Sequence, residues 1–192
     1  MLTQDMTING EAVHTGNSFE VINPATGAPF AEVQDGSVEH VNQAVAAAKQ
    51  AFTTWSKTSD DERKAACHAV AGVIEANMPE LMELVTLETG KPMGGLNGIG
   101  SGMEVGGSMA WSQFTAELQL PIEVLQDNEE ARIEVHRKPL GVVASITPWN
   151  WPLLIAIWHV MPAIRSGNTV VIKPSPYTPV STMRFVQLAQ AA

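Results

Sequence analysis

The chain has 192 residues, 45% of them hydrophobic and 16% charged, which suits one ordinary domain with a packed core and excludes a disordered segment. Acidic residues outnumber basic ones 20 to 11, for a formal net charge of -9, and that balance excludes a general nucleic-acid binder, which needs a basic face to displace phosphate counterions. A nucleotide ligand stays possible, because one helix N-terminus and one lysine bind phosphate even on an acidic protein.

The first residues, Met1-Leu2-Thr3-Gln4-Asp5, have neither a basic nor an apolar run, so no secretory signal is expected. Residues 19–22 and 30–33 alternate on either side of Asn23-Pro24-Ala25-Thr26-Gly27, which predicts a small hairpin. Residues 37–55 place Val38, Val41, Val45, Ala48, Phe52 and Trp55 at steps of three and four, the pattern of an amphipathic helix with one apolar face. Ser59-Asp60-Asp61-Glu62 has the spacing of a capping box and opens a second helix to about Asn77. Pro79 suits the first turn of a third, with Leu81, Leu84 and Val85 on its apolar side and Gly90 and Pro92 ending it.

Residues 94–107 are rich in glycine. The run Gly98-Ile99-Gly100-Ser101-Gly102 has no β-branched strand before it and lacks the dinucleotide spacing. A loosely packed or kinked helix continuing to about Glu117 is predicted instead. Residues 131–137 alternate and read as a half-exposed strand. Residues 141–146 are apolar on both faces, as in a buried parallel strand, and 169–173 repeat that character. Between them residues 152–165 are helical, with Gly167 as the stop. Thr178-Pro179 supplies a cap and a first helical position for a helix running to Ala192. Residues 146–164 are membrane-like in length, but Pro148, Asn150, Pro152, His159 and Pro162 argue against a spanning helix.

The last third is therefore a βαβα unit, the opening half of a doubly wound nucleotide-binding sheet. Ligands of such sheets bind beyond the carboxyl ends of the strands, which here means residues 147–151 and 173–177. On spacing alone Asn150 reads as an N-cap. Its functional alternative is a side-chain amide donating to a developing oxyanion, held still by Pro148 and Pro152. Lys173 at a strand end is either a charge reaching solvent or a donor to a ribose or phosphate. Cys67 is the single cysteine, which excludes an intramolecular disulfide and a multi-cysteine metal site. It stands mid-helix with His68 about 100° further round, the position of a small core residue. The five histidines are scattered, so no metal site is expected, and a reducing, cytoplasmic setting suits the composition.

The stretch Pro139-Leu140-Gly141-Val142-Val143 through Pro148-Trp149-Asn150-Trp151-Pro152-Leu153 resembles the aldehyde dehydrogenase superfamily. So do Gly167-Asn168-Thr169-Val170-Val171-Ile172-Lys173-Pro174-Ser175, Asn23-Pro24-Ala25-Thr26-Gly27 and Glu88-Thr89-Gly90-Lys91-Pro92. The similarity runs from about Phe19 to the end of the chain. It implies an α/β fold: N-terminal helices plus the first βαβα half of a Rossmann-like doubly wound sheet, with a β-strand arm used in oligomer contacts. Residues 1–192 would be the N-terminal part of the NAD(P)-binding domain, including oligomerisation strands at about 118–138 around Ile133 and Val135, with the catalytic domain absent.

By the same resemblance Asn150 helps hold the thiohemiacetal oxyanion. Ile146, Thr147, Pro148 and Trp149 contact the cofactor along with Asn150. Lys173 hydrogen-bonds the adenosine ribose, and Ser175 and Pro176 lie beside it. The implied reaction is oxidation of an aldehyde to a carboxylic acid with NAD or NADP by a homo-oligomer that needs neither nucleic acid nor membrane. Pro176 departs from the pattern, standing where many NAD-preferring members carry a glutamate, and weaker discrimination between NAD and NADP is expected. The family's catalytic cysteine, general-base glutamate and Gly-rich cofactor turn lie further along than Ala192. The chain reads as a fragment inactive by itself, with a truncated paralogue that binds cofactor weakly or joins full-length subunits as the alternative.

Overall fold

The computed structural model describes residues 1–190. In chain order it contains β1 (Leu2–Gln4), β2 (Met6–Ile8), β3 (Glu11–Val13), β4 (Ser18–Asn23), β5 (Ala28–Gln34), α1 (Val38–Trp55), α2 (Asp60–Ala76), α3 (Met78–Thr89) and α4 (Ser101–Glu117). Then follow β6 (Glu123–Asp127), β7 (Arg132–Val135), β8 (Val142–Ile146), α5 (Pro152–Arg165), β9 (Thr169–Lys173) and α6 (Val180–Ala189). The predicted hairpin is β4–β5, and β1 adds to it in parallel. The strands β6 and β7 form a separate antiparallel hairpin, and β8 and β9 pair in parallel with Val142 opposite Thr169 and Ile146 opposite Lys173.

The core is helical. Cys67 and Ile74 from α2, Leu81 and Val85 from α3, Val105 and Ala116 from α4, Leu153, Ile157 and Met161 from α5, and Phe185 from α6 form one buried cluster. A smaller cluster joins Val21, Ala31 and Val33 of the first sheet to Leu84 and Val180. The capping box at Ser59 forms as predicted, with Glu62 N–H donating to Ser59 Oγ at 3.2 Å and Ser59 N–H to Glu62 Oε2 at 2.7 Å. Arg165, buried at the end of α5, donates to Asp60 Oδ1 at 2.5 Å and Oδ2 at 2.9 Å and to Ala116 O at 3.1 Å, tying together α5, α2 and α4. That guanidinium holds the Asp60 carboxyl below its usual range.

Several expectations are corrected. The start of α1 is uncovered: Val38 and Val41 are exposed, and the helix buries no residue fully, although Trp55 Nε1 reaches Ile164 O at 3.2 Å. Periodicity marks which face is apolar, not whether anything covers it. The Gly-rich stretch is half loop. The helix starts only at Ser101, because Gly95 and Gly98 adopt φ +62° and +80°, and a Cβ on Gly95 would lie 1.9 Å from Ile99 O. The strands β8 and β9 are only half-buried, with Ile146 70% exposed, since among the described residues they pair with each other alone. The last helix runs from Val180 to Ala189; its predicted extension to Ala192 falls partly outside the described residues.

Neither local cap predicted for α5 and α6 forms. Trp151 and Pro179 occupy the N-cap positions, with no side-chain cap hydrogen bond from either. The free N–H groups are taken by carboxylates distant in sequence. Glu104 Oε1 of α4 accepts from Leu153 N–H at 3.0 Å and Leu154 N–H at 3.3 Å. Glu88 Oε2 of α3 accepts from Val180 N–H at 2.7 Å, with Ser181 N–H and its hydroxyl donating to the same carboxylate. Both carboxylates are buried. They answer the requirement that every helix start find acceptors for its first N–H groups.

Asn168 performs the equivalent service for the turn into β8. Its Oδ1 accepts from Leu140 N–H at 2.6 Å and Gly141 N–H at 2.9 Å, and its Nδ2 donates to Ser166 Oγ at 2.9 Å and Ala163 O at 3.2 Å. Asn168→Ala strands those two amides and is expected to cost about 2 kcal/mol or more, read as a lowered urea midpoint. Asn168→Asp keeps the acceptor and loses less. A second prediction concerns pH. Burial pushes Glu88 up to about 8 against the lowering effect of its hydrogen bonds, whereas an unfolded glutamate titrates at about 4.3. The native state therefore binds this proton more tightly than the unfolded chain. The stability it contributes is complete below about pH 4.3 and is lost as pH rises through about 8, with a slope of at most about 1.4 kcal/mol per pH unit. Glu88→Gln, which mimics the protonated form, should gain on the parent in urea midpoint from pH 5 to pH 8. Parallel curves would place the Glu88 titration outside that window.

Candidate functional site

The parallel pairing of β8 with β9 brings the two predicted loops side by side. Ile146 and Lys173 are the last register pair, and Thr147 N–H donates to Lys173 O at 3.2 Å just beyond it. The chains then part, one turning through Pro148, Trp149, Asn150 and Trp151 into α5, the other through Pro174, Ser175, Pro176 and Tyr177 toward α6. Thr178 Oγ1 reaches back to Trp149 O at 3.5 Å, a long contact that spans the two loops. Within the second loop Thr178 N–H donates to Ser175 O at 3.2 Å and Tyr177 N–H to Ser175 Oγ at 3.3 Å. All eight predicted residues, Ile146, Thr147, Pro148, Trp149, Asn150, Lys173, Ser175 and Pro176, thus lie on one ledge at the carboxyl ends of the strands. Ile146, Pro148, Trp149, Asn150, Lys173 and Pro176 are exposed, and Thr147 and Ser175 are buried.

The donor set fits the sugar of a nucleotide. Among the described residues the Lys173 ammonium has no hydrogen-bond partner. Thr147 Oγ1 is buried without a hydrogen-bond partner. The Ser175 hydroxyl accepts from Tyr177 N–H and keeps its own proton to donate. No carboxylate lies between Lys173 and Thr178 to accept from a ribose or repel a phosphate there. The starts of α5 and α6 already hold Glu104 and Glu88, so these two helix ends are poor phosphate sites. The ledge suits the nucleoside half of a dinucleotide better than its pyrophosphate.

Asn150 is exposed, and no hydrogen bond fixes its side chain within the described residues. The bland reading of that residue as an N-cap fails, and its amide is left able to donate to a ligand. Its backbone is held: Lys91 Nζ donates to Asn150 O, to Glu104 Oε2 at 2.6 Å, and stands 3.8 Å from the centre of the Trp151 ring. Lys91, Glu104 and Glu88 were given no role by sequence reasoning. One signal was available for Glu104, the only charged residue between Lys91 and Glu117.

Beside the first turns of α5 an apolar groove is lined by Met103, Trp111 and Phe114 of α4 and Leu154 and Trp158 of α5. The Trp111 and Trp158 rings are 6.1 Å apart, and Trp111 Nε1 is buried without a partner. Cys67 is fully buried, and burial pushes its thiol up to about 11 against the lowering effect of Arg165. It is protonated near neutral pH and inaccessible. Among the described residues no group of three or more His, Cys, Asp or Glu could hold a metal ion, and no helix is long and apolar enough to cross a membrane.

Comparison with known proteins identifies the family. The family model described as the aldehyde dehydrogenase family matches residues 12–192. Phenylacetaldehyde dehydrogenase of Pseudomonas fluorescens is 38% identical, over 100% of this chain and 40% of that protein. The NADP/NAD-dependent aldehyde dehydrogenase PuuC of Escherichia coli is 35% identical, over 96% of this chain and 38% of that protein. Among solved structures, an apo indole-3-acetaldehyde dehydrogenase superposes with a TM-score of 0.91 at 34% identity, over 98% of this chain and 44% of that one. Betaine aldehyde dehydrogenase of Staphylococcus aureus, in complex with NAD+, superposes with a TM-score of 0.91 at 31% identity, over 99% of this chain and 38% of that one. The chain spans about 40% of the length of the curated relatives it matches. With the family model covering nearly its whole length, the chain belongs to the aldehyde dehydrogenase family.

Proposed function

We propose that this chain supplies the first part of the NAD(P)-binding domain of an aldehyde dehydrogenase, oxidising an aldehyde to a carboxylic acid. The observation that carries the reading is the ledge formed by the β8 and β9 loops, where Asn150, Lys173 and Thr147 all have unused hydrogen-bonding capacity. When bound, the nicotinamide cofactor supplies the hydride acceptor. Lys173 and Ser175 hold the adenosine ribose, with Ile146, Thr147, Pro148 and Trp149 bordering the cofactor along the other loop. Asn150 Nδ2 donates to the carbonyl oxygen of the aldehyde as it becomes negative, which is where a fixed donor contributes most.

The groove between α4 and α5 supports an aldehyde with an apolar or aryl substituent, because Met103, Trp111, Phe114 and Trp158 offer almost no polar surface. The β6–β7 hairpin supports assembly with further copies: Leu120, Ile122, Val124, Leu125 and Ile133 are exposed on or beside it. Cys67 cannot serve as the nucleophile, being buried and protonated.

Three outcomes test the reading. Titration of the intrinsic tryptophan fluorescence should detect NAD and NADP with affinities within about tenfold of each other, a difference of about 1.4 kcal/mol, because no carboxylate near Pro176 repels a 2′-phosphate. A preference for NAD of several hundredfold would sink the cofactor assignment. Lys173→Ala should weaken both cofactors by about tenfold, the size of one charge-assisted hydrogen bond. The purified 192-residue chain with either cofactor and an aryl aldehyde should form no reduced nicotinamide; turnover would show a nucleophile other than Cys67.

A further inference from the structure

The buried pair Lys91–Glu104 lies behind the loop that carries Asn150. Glu104 is fully buried on α4, and the Lys91 side chain is only 19% exposed. A buried ion pair is weak evidence for stability, because desolvation offsets most of the Coulomb gain. This pair does something more specific. Glu104 divides its oxygens: Oε1 takes the Leu153 and Leu154 N–H groups, and Oε2 takes Lys91. Lys91 then spends its remaining donors on Asn150 O and the face of the Trp151 ring. The peptide after Asn150 and the ring after it are clamped from one side, by groups on α4 and the segment following α3.

This arrangement settles what Asn150 is free to do. An asparagine at or beside a helix N-cap can turn its side chain onto the helix N–H groups, and Asn150 stands one residue before the N-cap Trp151. Here those groups are already occupied, and the backbone is fixed by its own carbonyl, so the side-chain amide is presented outward. We propose that Lys91, held by Glu104, is a positioning residue for Asn150, fixing the Asn150–Trp151 peptide and ring so that the Asn150 amide faces the ligand instead of capping α5. The inference rests on the reading of Asn150 as the oxyanion donor for its functional meaning; the clamp itself is testable without it.

The test uses three variants of the 192-residue chain and 15N relaxation of its amides. In the parent, the backbone amides of Asn150 and Trp151 should have order parameters near about 0.85, those of rigid backbone. In Lys91→Met, which keeps the aliphatic stem and removes the charge, they should fall below about 0.6, with a shift of the Trp151 indole resonance. The Leu153 and Leu154 amides should stay protected from hydrogen exchange, because Glu104 still caps them. Asp60→Asn, which loosens the opposite end of α5 through Arg165, should lower the urea midpoint and leave Asn150 and Trp151 rigid. A folded Lys91→Met chain with Asn150 and Trp151 as rigid as the parent overturns the inference. If Lys91→Met does not fold, Glu104→Gln decides: it keeps an acceptor for Leu153 and Leu154 and weakens the hold on Lys91, so a mobile Asn150 supports the clamp and a rigid one overturns it. Failure of the parent to bind NAD or NADP would count against the proposed function and leave these relaxation results standing, so the two can fail separately.

Discussion

The site depends on helix starts that are capped from a distance. An isolated α5 or α6 would need its own leading residues to accept from its first N–H groups, and both sequences offer a suitable one, Asn150 before α5 and Thr178 before α6. The fold uses neither in that way. Glu104 and Glu88 reach these ends from α4 and α3. Each bond links segments tens of residues apart, so the capping is at once local and tertiary. Its consequence is that the Asn150 side chain, which would otherwise be consumed in finishing a helix, stays available at the surface.

The same device has an electrostatic consequence. A helix start with free N–H groups attracts anions, and a dinucleotide-binding half-sheet commonly uses one for the pyrophosphate. With Glu104 and Glu88 already accepting from the first N–H groups at these two starts, a phosphate placed there would find those donors occupied. What these loops offer instead is a lone ammonium at Lys173, hydroxyls at Thr147 and Ser175, and an amide at Asn150. Those groups match hydroxyls and a carbonyl oxygen. Charge, position and unused bonding capacity all support the proposal that the ledge takes the sugar and the reacting carbonyl.

Much of this was legible in the sequence, and what was not shares one physical cause. The β4–β5 hairpin, the Ser59 capping box, the extent of α5 and the loops at the ends of β8 and β9 are written in short-range pattern, and they form where that pattern places them. The resemblance named the ledge residues, and the fold gathers them in one place. The misses concern the partner of each pattern. Val38 and Val41 open an apolar face whose first turns stay exposed while its later turns are part-buried, and Ile146 lies on a strand that reads as buried but has a single neighbour among the described residues. Asn150 and Thr178 look like caps because the competing carboxylates are far away along the chain. Glycines 95 and 98 look like weak helix until the close approach of Ile99 O shows that only a loop fits. Periodicity and spacing describe a segment; burial and capping are properties of pairs of segments.

That distinction also bears on how the ledge is supported. The sheet beneath it is a two-stranded parallel ribbon, an arrangement of marginal stability on its own. The loops do not rely on the ribbon alone. Glu104 and Lys91 anchor the first to α4 and to the segment after α3, Glu88 anchors the second to α3, and all of these belong to or border the main helical cluster. Arg165 then fastens the far end of α5 to α2 and α4. The rigid reference for the ligand loops is therefore the helical layer, to which each is joined by a buried carboxylate. Strands set where the two loops emerge, and the helices behind them set how the loops are held.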